Sequence, residues 1–219
     1  MGRIFKATYH FDDEGWIFAP DVCDKFFTVN LRTPCNAASS DDNKVGVVVA
    51  LCNLPSFGDV ISFLLESFAR LHQNKPDSVL LLVGDGELRG EIEYQIAGLG
   101  MRDSVILTGN RGDVAELMQA MDLLAFPSRW EGLPVTVVEA QAAGLPCLIS
   151  DKITHDVDLS PLVRRLPIDS PEVWARATAE PAARQDVCRE IAAAGFAIGE
   201  SVQRLSGLYN KLWQESERI

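Results

Sequence analysis

The sequence predicts an α/β fold, a doubly wound parallel sheet followed by C-terminal helices. The first observation is that apolar runs of strand length alternate with segments of helical periodicity from residue 45 to residue 150. The second is the run from Val45 to Leu51, a continuous valine-rich stretch that is typical of a strand buried on both faces. Because a doubly wound sheet binds its ligand at the carboxyl ends of its strands, the loops after the strands are where a site is expected.

The predicted elements follow from periodicity and from the residues that end each helix. Residues 60–71 have apolar side chains at helical spacing, and this helix ends at Asn74 and Pro76. Residues 88–99 form a second predicted helix, which ends at glycine. The other predicted elements of the alternating region are strands at residues 79–83, 105–108, 123–126 and 147–150 and helices at residues 114–120 and 134–143.

The two ends of the chain differ from this alternating region. Beyond residue 150 the pattern predicts a short strand at residues 162–166 and then helices only, at residues 171–179, 181–194 and 200–217. Residues 1–44 are interpreted as an N-terminal segment and linker, because residues 33–43 are rich in Pro, Ser, Asp and Asn. Residues 45–219 are therefore the predicted domain, with a C-terminal helix.

Composition excludes several classes of function. The 219 residues carry a net charge of −11, which argues against nucleic acid or an anionic membrane as a partner, since both need a basic face. The five cysteines are dispersed and odd in number, so they predict free thiols in a reducing compartment and no zinc site. Neither a signal peptide nor an apolar stretch of membrane-spanning length, about 18 residues, is present. We therefore expect a cytoplasmic protein without a bound metal.

The stretch Phe126 to Pro146 is the main candidate for a site. It contains the end of a strand, a polar turn and a helix that Pro134 opens at its first position and Gly144 closes. The start of a helix presents unpaired N–H groups and partial positive charge, so the turn Glu131-Gly132-Leu133 is suited to hold an anion or a phosphate. The glycine would let a ligand approach the backbone.

Two glutamates bracket this turn. Glu131 lies on the loop and Glu139 in the second turn of the helix, on the face of Val135 and turned away from Gln141. Packing through Val135, Val138, Ala142 and Ala143 would put Glu139 at a buried or cleft-facing edge, where its carboxylate would accept hydrogen bonds from sugar hydroxyls. We expect both carboxylates to converge on one pocket. The alternative interpretation is that both glutamates are ordinary solvated side chains.

This stretch resembles the donor-binding motif of family 4 retaining glycosyltransferases, a glutamate followed eight residues later by a second one, within EGLP and EAQAAGLP. The segment VGDGELR at residues 83–89 is similar to a second landmark of the family. The resemblance covers about residues 45–215 and implies the C-terminal, Rossmann-like donor half of a GT-B enzyme. It implies a nucleotide-sugar such as a UDP- or GDP-sugar as substrate, with no metal or other cofactor, because helix dipoles and basic side chains neutralise the leaving diphosphate.

The resemblance also implies roles for individual residues. Glu131 would be the catalytic residue and would lie against the donor sugar with Gly132 and Leu133, while Glu139 would bind the ribose. The turn with Gly84, Gly86 and Glu87 would let the donor approach the backbone, although many turns between a strand and a helix contain glycines for geometry alone. The loop with Gly109, Asn110 and Arg111 would line the base, or it is a simple turn.

Two departures from the family stand out. Leu51 and Phe57 occupy the positions where an arginine and a lysine usually neutralise the diphosphate. Arg129 would compensate, unless it is a solvated loop residue. Residues 1–44 are also too short for the acceptor-binding half, so we expect an acceptor-binding partner chain or self-association through apolar surface that the absent half leaves exposed.

These observations leave two hypotheses. The leading one is a donor-binding domain that transfers a sugar with retention in bacterial polysaccharide synthesis, inactive as an isolated chain. The alternative is a non-catalytic nucleotide-sugar-binding or interaction domain that lost turnover. A dehydrogenase is disfavoured, because no G-x-G-x-x-G pattern follows the first strand.

Overall fold

The computed structural model describes residues 46–50, without their side chains, and residues 58–216. It contains one six-stranded sheet in which every neighbouring pair is parallel, in the order β3-β2-β1-β4-β5-β6. The chain winds outward from β1 in one direction and then returns to the other side of β1 with β4, which is the doubly wound order. The strands are β1 Gly46–Ala50, β2 Val79–Val83, β3 Val105–Gly109, β4 Leu123–Phe126, β5 Cys147–Ser150 and β6 Val163–Leu166. The predicted α/β fold is confirmed.

The helices agree with the prediction to within two or three residues, except after residue 180. They are α1 Gly58–Asn74, α2 Arg89–Gly98, α3 Val114–Gln119, α4 Val135–Ala142, α5 Pro171–Ala179, α6 Cys188–Ile191 and α7 Ile198–Ser216. The prediction of a helix at 181–194 is wrong for its first half. Arg184 donates to the carbonyls of Ala143 and Met121, and Gln185 N donates to Gly144 O, so the polar groups of this segment bind the residues that follow α3 and α4.

The core lies between the sheet and two helices on one face. Leu65 of α1 and Leu80 of β2 are completely buried, as is Trp174 of α5. The indole Nε1 of Trp174 donates to Pro167 O at 2.8 Å, and its ring meets Phe63 edge to face with centroids 5.7 Å apart. Because helices pack on these apolar strands, the strand ends have fixed positions. The loops at the carboxyl edge start from these ends.

The ends of α4 differ in how well the sequence predicted them. Gly144 has φ +70° and closes the helix as expected, because this left-handed conformation favours glycine. The prediction that Pro134 is the first residue of α4 is wrong. The helix begins at Val135, and Pro134 precedes it with an extended backbone, at φ −72° and ψ 94°. The predicted packing face is also wrong at Val135, whose side chain is exposed, because α4 is buried through Val137, Val138, Ala140 and Gln141 instead.

The chain divides into two compact units, and residues 195–216 belong to a different unit from residues 58–194. Residues 195–216 contain α7, which carries a row of exposed apolar side chains: Val202, Leu205, Leu208, Tyr209, Leu212 and Trp213. Among the described helices, none is long and apolar enough to cross a membrane.

Candidate functional site

The carboxyl edge of the sheet brings together the loops in which the sequence predicted a site. The loops after β2 and β4 belong to the two strands that flank β1, so they start about 10 Å apart, two strand spacings. The chain adds strands to one side of β1 up to β3 and to the other side from β4 onward. The ligand of a doubly wound sheet lies in the crevice where the strand order reverses in this way, here between β1 and β4. Leu51 and Phe57, the positions that lack the expected cations, lie outside the described residues.

The loops after β2 and β3 are in direct contact. Gly84 N donates to Gly109 O at 3.0 Å, and both glycines have positive φ. A Cβ at Gly109 would lie 3.8 Å from an Asp85 carboxylate oxygen, so the two loops run close together. Asp85 Oδ1 in turn accepts from Gly86 N at 2.9 Å. Turn geometry accounts for glycine at positions 84 and 109, where φ is positive, and Glu87 is exposed beside them.

The loop after β3 holds a side-chain pair that the sequence analysis missed. Arg111 Nε donates to Asp113 Oδ1 at 2.7 Å, and its Nη2 also contacts the second carboxylate oxygen. This hydrogen bond raises the pKa of Arg111 and lowers the pKa of Asp113. Asn110 is exposed next to the pair. The guanidinium of Arg111, on the loop predicted to line the base, is therefore already paired with Asp113. The arginine and the aspartate lie two residues apart in the sequence, and this spacing was the signal for the pair.

The loop after β4 presents the predicted catalytic residue on a buried anchor. Glu131 is half-buried, and its Oε1 accepts a hydrogen bond from Ser128 Oγ at 2.9 Å. Ser128 is only 3% exposed. Ser128 was not singled out from the sequence, since a serine in a loop gives no signal of its own. Its hydroxyl holds one oxygen of the Glu131 carboxylate, while Gly132 and Leu133 are exposed after it.

Arg129 and Trp130 project from the same loop. Both side chains are exposed, and no ion pair or hydrogen bond holds the Arg129 guanidinium within residues 58–216. A cation that is exposed and unpaired at the edge of the sheet can accept an anionic ligand without first breaking a contact. The exposure of Arg129 is therefore compatible with the compensating role, which stays a prediction.

Glu139 lies one turn into α4 and behaves differently from Glu131. Its side chain is exposed, yet the protein around it removes part of its hydration, which raises its pKa. Among the described residues, no cation or donor contacts its carboxylate. An acceptor that is partly desolvated and has no partner gains more from a ligand hydroxyl than a fully hydrated one does. That Glu131 and Glu139 converge on one pocket stays a prediction.

The thiol of Cys147, at the start of β5, is buried. Burial raises the pKa of the Cys147 thiol to about 12, so it is protonated at neutral pH. Within residues 58–216, no group of three or more His, Cys, Asp and Glu side chains is arranged to hold a metal ion. The loops at the carboxyl edge carry the carboxylate of Glu131 and two exposed arginines, Arg129 and the Arg111 that is paired with Asp113.

This chain is similar to known glycosyltransferases. Residues 60–159 match the family model described as glycosyl transferases group 1. The chain is similar to the putative glycosyltransferase EpsF of Bacillus subtilis (strain 168), with 40% identity over 156 residues, 68% of this chain and 41% of EpsF. It is also similar to a UDP-Gal:alpha-D-GlcNAc-diphosphoundecaprenol alpha-1,3-galactosyltransferase of Escherichia coli, with 40% identity over 77 residues, 35% of this chain and 20% of that enzyme.

The fold is also found in solved structures of GT-B glycosyltransferases. The pneumococcal O-GlcNAc transferase GtfA, crystallised in complex with UDP and GlcNAc, matches with a TM-score of 0.60 over 80% of this chain and 37% of that chain, at 16% identity. A likeness at this identity concerns the fold alone. The chain spans less than half the length of each of these three proteins, so the likeness extends to one part of each of them.

Proposed function

We propose that this chain, whose residues 60–159 match the glycosyl transferases group 1 family model, binds the nucleotide-sugar donor of a retaining glycosyltransferase in bacterial polysaccharide synthesis. The observation that carries the proposal is the hydrogen bond from buried Ser128 to Glu131. Both residues follow β4 directly, the strand with which the strand order reverses. A carboxylate with one oxygen held at this point is suited to receive sugar hydroxyls.

Each element of the site would bind one part of the donor. Glu131 would contact the donor sugar and act as the catalytic residue. The backbone N–H groups of Gly132 and Leu133, at the start of α4, would bind the diphosphate. Glu139 would accept hydrogen bonds from the ribose, which its partly desolvated carboxylate favours.

The two remaining loops would hold the nucleotide end. The turn with Gly84, Gly86 and Glu87 adjoins the loop with Asn110 and Arg111 through the contact between their glycines, so one nucleotide can lie across both loops. Base contacts there would use backbone groups, because the Arg111 guanidinium is already paired with Asp113. The acceptor-binding partner chain and self-association stay predictions.

The charge of the diphosphate needs a cation, and Arg129 is the proposed source. Charge-assisted hydrogen bonds contribute about 1.5–3 kcal/mol each, and Leu51 and Phe57 cannot supply them. Arg129 is exposed on the loop after β4. We therefore expect weaker binding of diphosphate than two dedicated cations would give, and a dependence on Arg129.

Calorimetric titration tests the proposal. The chain is titrated with UDP and GDP, and then with UDP-glucose, UDP-galactose, UDP-N-acetylglucosamine and GDP-mannose. We expect saturable binding of one nucleotide, with lower affinity in Glu139→Gln. The sugar of the nucleotide-sugar should increase the affinity further in the wild type, and Glu131→Gln should lose this increase. Glu91→Gln, on the exposed side of α2, is the matched control and should bind as the wild type does. Absence of binding by any nucleotide at millimolar concentration would remove the proposal.

A further inference from the structure

Trp130 is an indole that the fold leaves uncovered. Its side chain is 86% exposed, a larger fraction than that of any other large apolar side chain among the described residues. Burying an aromatic side chain of this size stabilises a protein by several kcal/mol, roughly 25 cal/mol per Å² over 150–250 Å². An indole that forgoes this burial within a binding loop is available to a ligand.

The loop that carries Trp130 is anchored on one side. Pro127 and Ser128 are buried immediately before it, and Ser128 Oγ lies 3.4 Å from the carbonyl oxygen of Trp130 and 2.9 Å from Glu131 Oε1. The hydroxyl carries one hydrogen, so it donates to one of these oxygens at a time, and the shorter distance favours Glu131. The buried serine therefore holds the carboxylate of Glu131, the residue that directly follows the indole.

The groups around Trp130 are complementary to a sugar. A pyranose ring has apolar C–H faces and hydroxyl groups at its edge, so it needs an apolar platform beside hydrogen-bond acceptors. Trp130 directly precedes Glu131, whose carboxylate accepts from Ser128, and Leu133 and Val135, which follow in the same stretch of chain, are also exposed. We propose that Trp130 stacks on the face of a pyranose ring whose hydroxyls bind Glu131, an inference that rests on the proposed function above.

The topology separates this platform from the loop proposed for the nucleotide base. The base loop follows β3, whereas Trp130 follows β4, and these strands are three spacings apart in the sheet, about 14 Å. One nucleotide therefore cannot place its base at both loops. The indole lies at the sugar end of the donor, where the sugar of an acceptor would also arrive.

Titration of the full chain and its Trp130→Ala and Trp130→Phe variants tests the inference. One arm compares UDP with UDP-glucose, UDP-galactose and UDP-N-acetylglucosamine; the other adds methyl glycosides of the same sugars to the UDP-saturated chain. Loss of an aromatic stacking partner should weaken sugar binding roughly tenfold in Trp130→Ala and much less in Trp130→Phe, with UDP affinity unchanged. Trp213→Ala, another exposed tryptophan, is the matched control. Because Trp130 is exposed, all variants should fold normally.

The outcomes separate this inference from the proposed function. A loss confined to the nucleotide-sugars assigns the stacked ring to the donor, and a loss confined to the methyl glycosides assigns it to the acceptor; either supports the platform. If the wild type binds UDP and the alanine variant binds every sugar as tightly as the wild type, the platform is overturned while the proposed function stands. If the wild type gains no affinity from a sugar in either arm, the platform is overturned as well.

Discussion

Ser128 Oγ donates to Glu131 Oε1 over 2.9 Å, from a side chain that is 3% exposed to one that is half-buried at the carboxyl edge of the sheet. The pair links the end of β4, whose four residues are all buried, to the proposed sugar contact. A rigid strand therefore determines where this carboxylate points. In this arrangement Ser128 acts through Glu131, as a positioning residue.

Replacing Ser128 with alanine should weaken nucleotide-sugar binding about fivefold, which corresponds to about 1 kcal/mol for a lost hydrogen bond. Binding of the nucleotide alone should not change, because Ser128 orients only the sugar contact. Calorimetric titration measures both. Ser67→Ala is the matched control, since Ser67 is equally buried but donates within α1 to Phe63 O. Equal losses for nucleotide and nucleotide-sugar would contradict the positioning role.

Replacing Glu139 with glutamine should change how stability depends on pH. Desolvation raises the pKa of Glu139 in the folded chain, so the wild type loses stability as the pH rises through that pKa, while the variant has no charge to desolvate. The stability gain of Glu139→Gln should be near zero below the ordinary value of 4.5, grow as the pH rises and then stay constant. Urea unfolding between about pH 4 and pH 8 measures it; parallel curves would refute the prediction.

Replacing Arg165 with methionine should destabilise the fold by about 2–4 kcal/mol, because buried carbonyls lose charged donors. Arg165 is 16% exposed in its side chain and donates to Ile153 O and Thr154 O at 2.7 Å, and to Asp158. Lysine should not restore this loss, since it lacks the planar fork of donors. Arg164→Met, the exposed neighbour, is the control and should change the free energy of unfolding by less than about 0.5 kcal/mol.

The effect of Arg165→Met should also depend on pH. Burial of Asp158 opposes its ionisation, but hydrogen bonds from Arg165 and His155 outweigh that effect and lower its pKa. A carboxyl group whose pKa is lower in the folded chain stabilises the fold at pH values above its pKa in the unfolded chain. This stability is lost as the pH falls through its pKa in the folded chain. The difference between wild type and variant should therefore shrink below about pH 4. A difference that stays constant to low pH would show that the Asp158 charge plays no part.

Alanine substitutions at two glycines with the same φ distinguish the cost of backbone strain from the cost of steric crowding. Gly100 and Gly144 both have φ +70°, but a Cβ at Gly144 would lie 2.7 Å from Gln185 O, whereas a Cβ at Gly100 has nothing within 4 Å. Gly100→Ala should cost about 1 kcal/mol of stability from left-handed strain alone. Gly144→Ala should cost clearly more, because Gln185 must move. Urea unfolding of both variants checks this, and equal costs would show that the segment around Gln185 yields freely.

The sequence by itself determined the strands, most of the helices and the loops in which a site is expected. Continuous apolar runs as short as Leu80 to Val83, flanked by turn residues, favour a strand covered on both faces, and alternation with helices predicts a parallel sheet. The loop with Glu131 and the glycine that closes α4 were predictable for the same reason, since each depends on local chemistry. Residues close in the chain decided them.

Only the tertiary structure decided which polar side chains were paired. Gln141, predicted merely to be turned away from Glu139, is completely buried and donates to Val157 O while accepting from Ser160 Oγ. Residues 181–187 are not helical, and within them Arg184 donates to carbonyls more than 40 positions away in the sequence. Such bonds form because a buried polar group needs a partner, and which partner is within reach depends on the packing of segments distant in sequence.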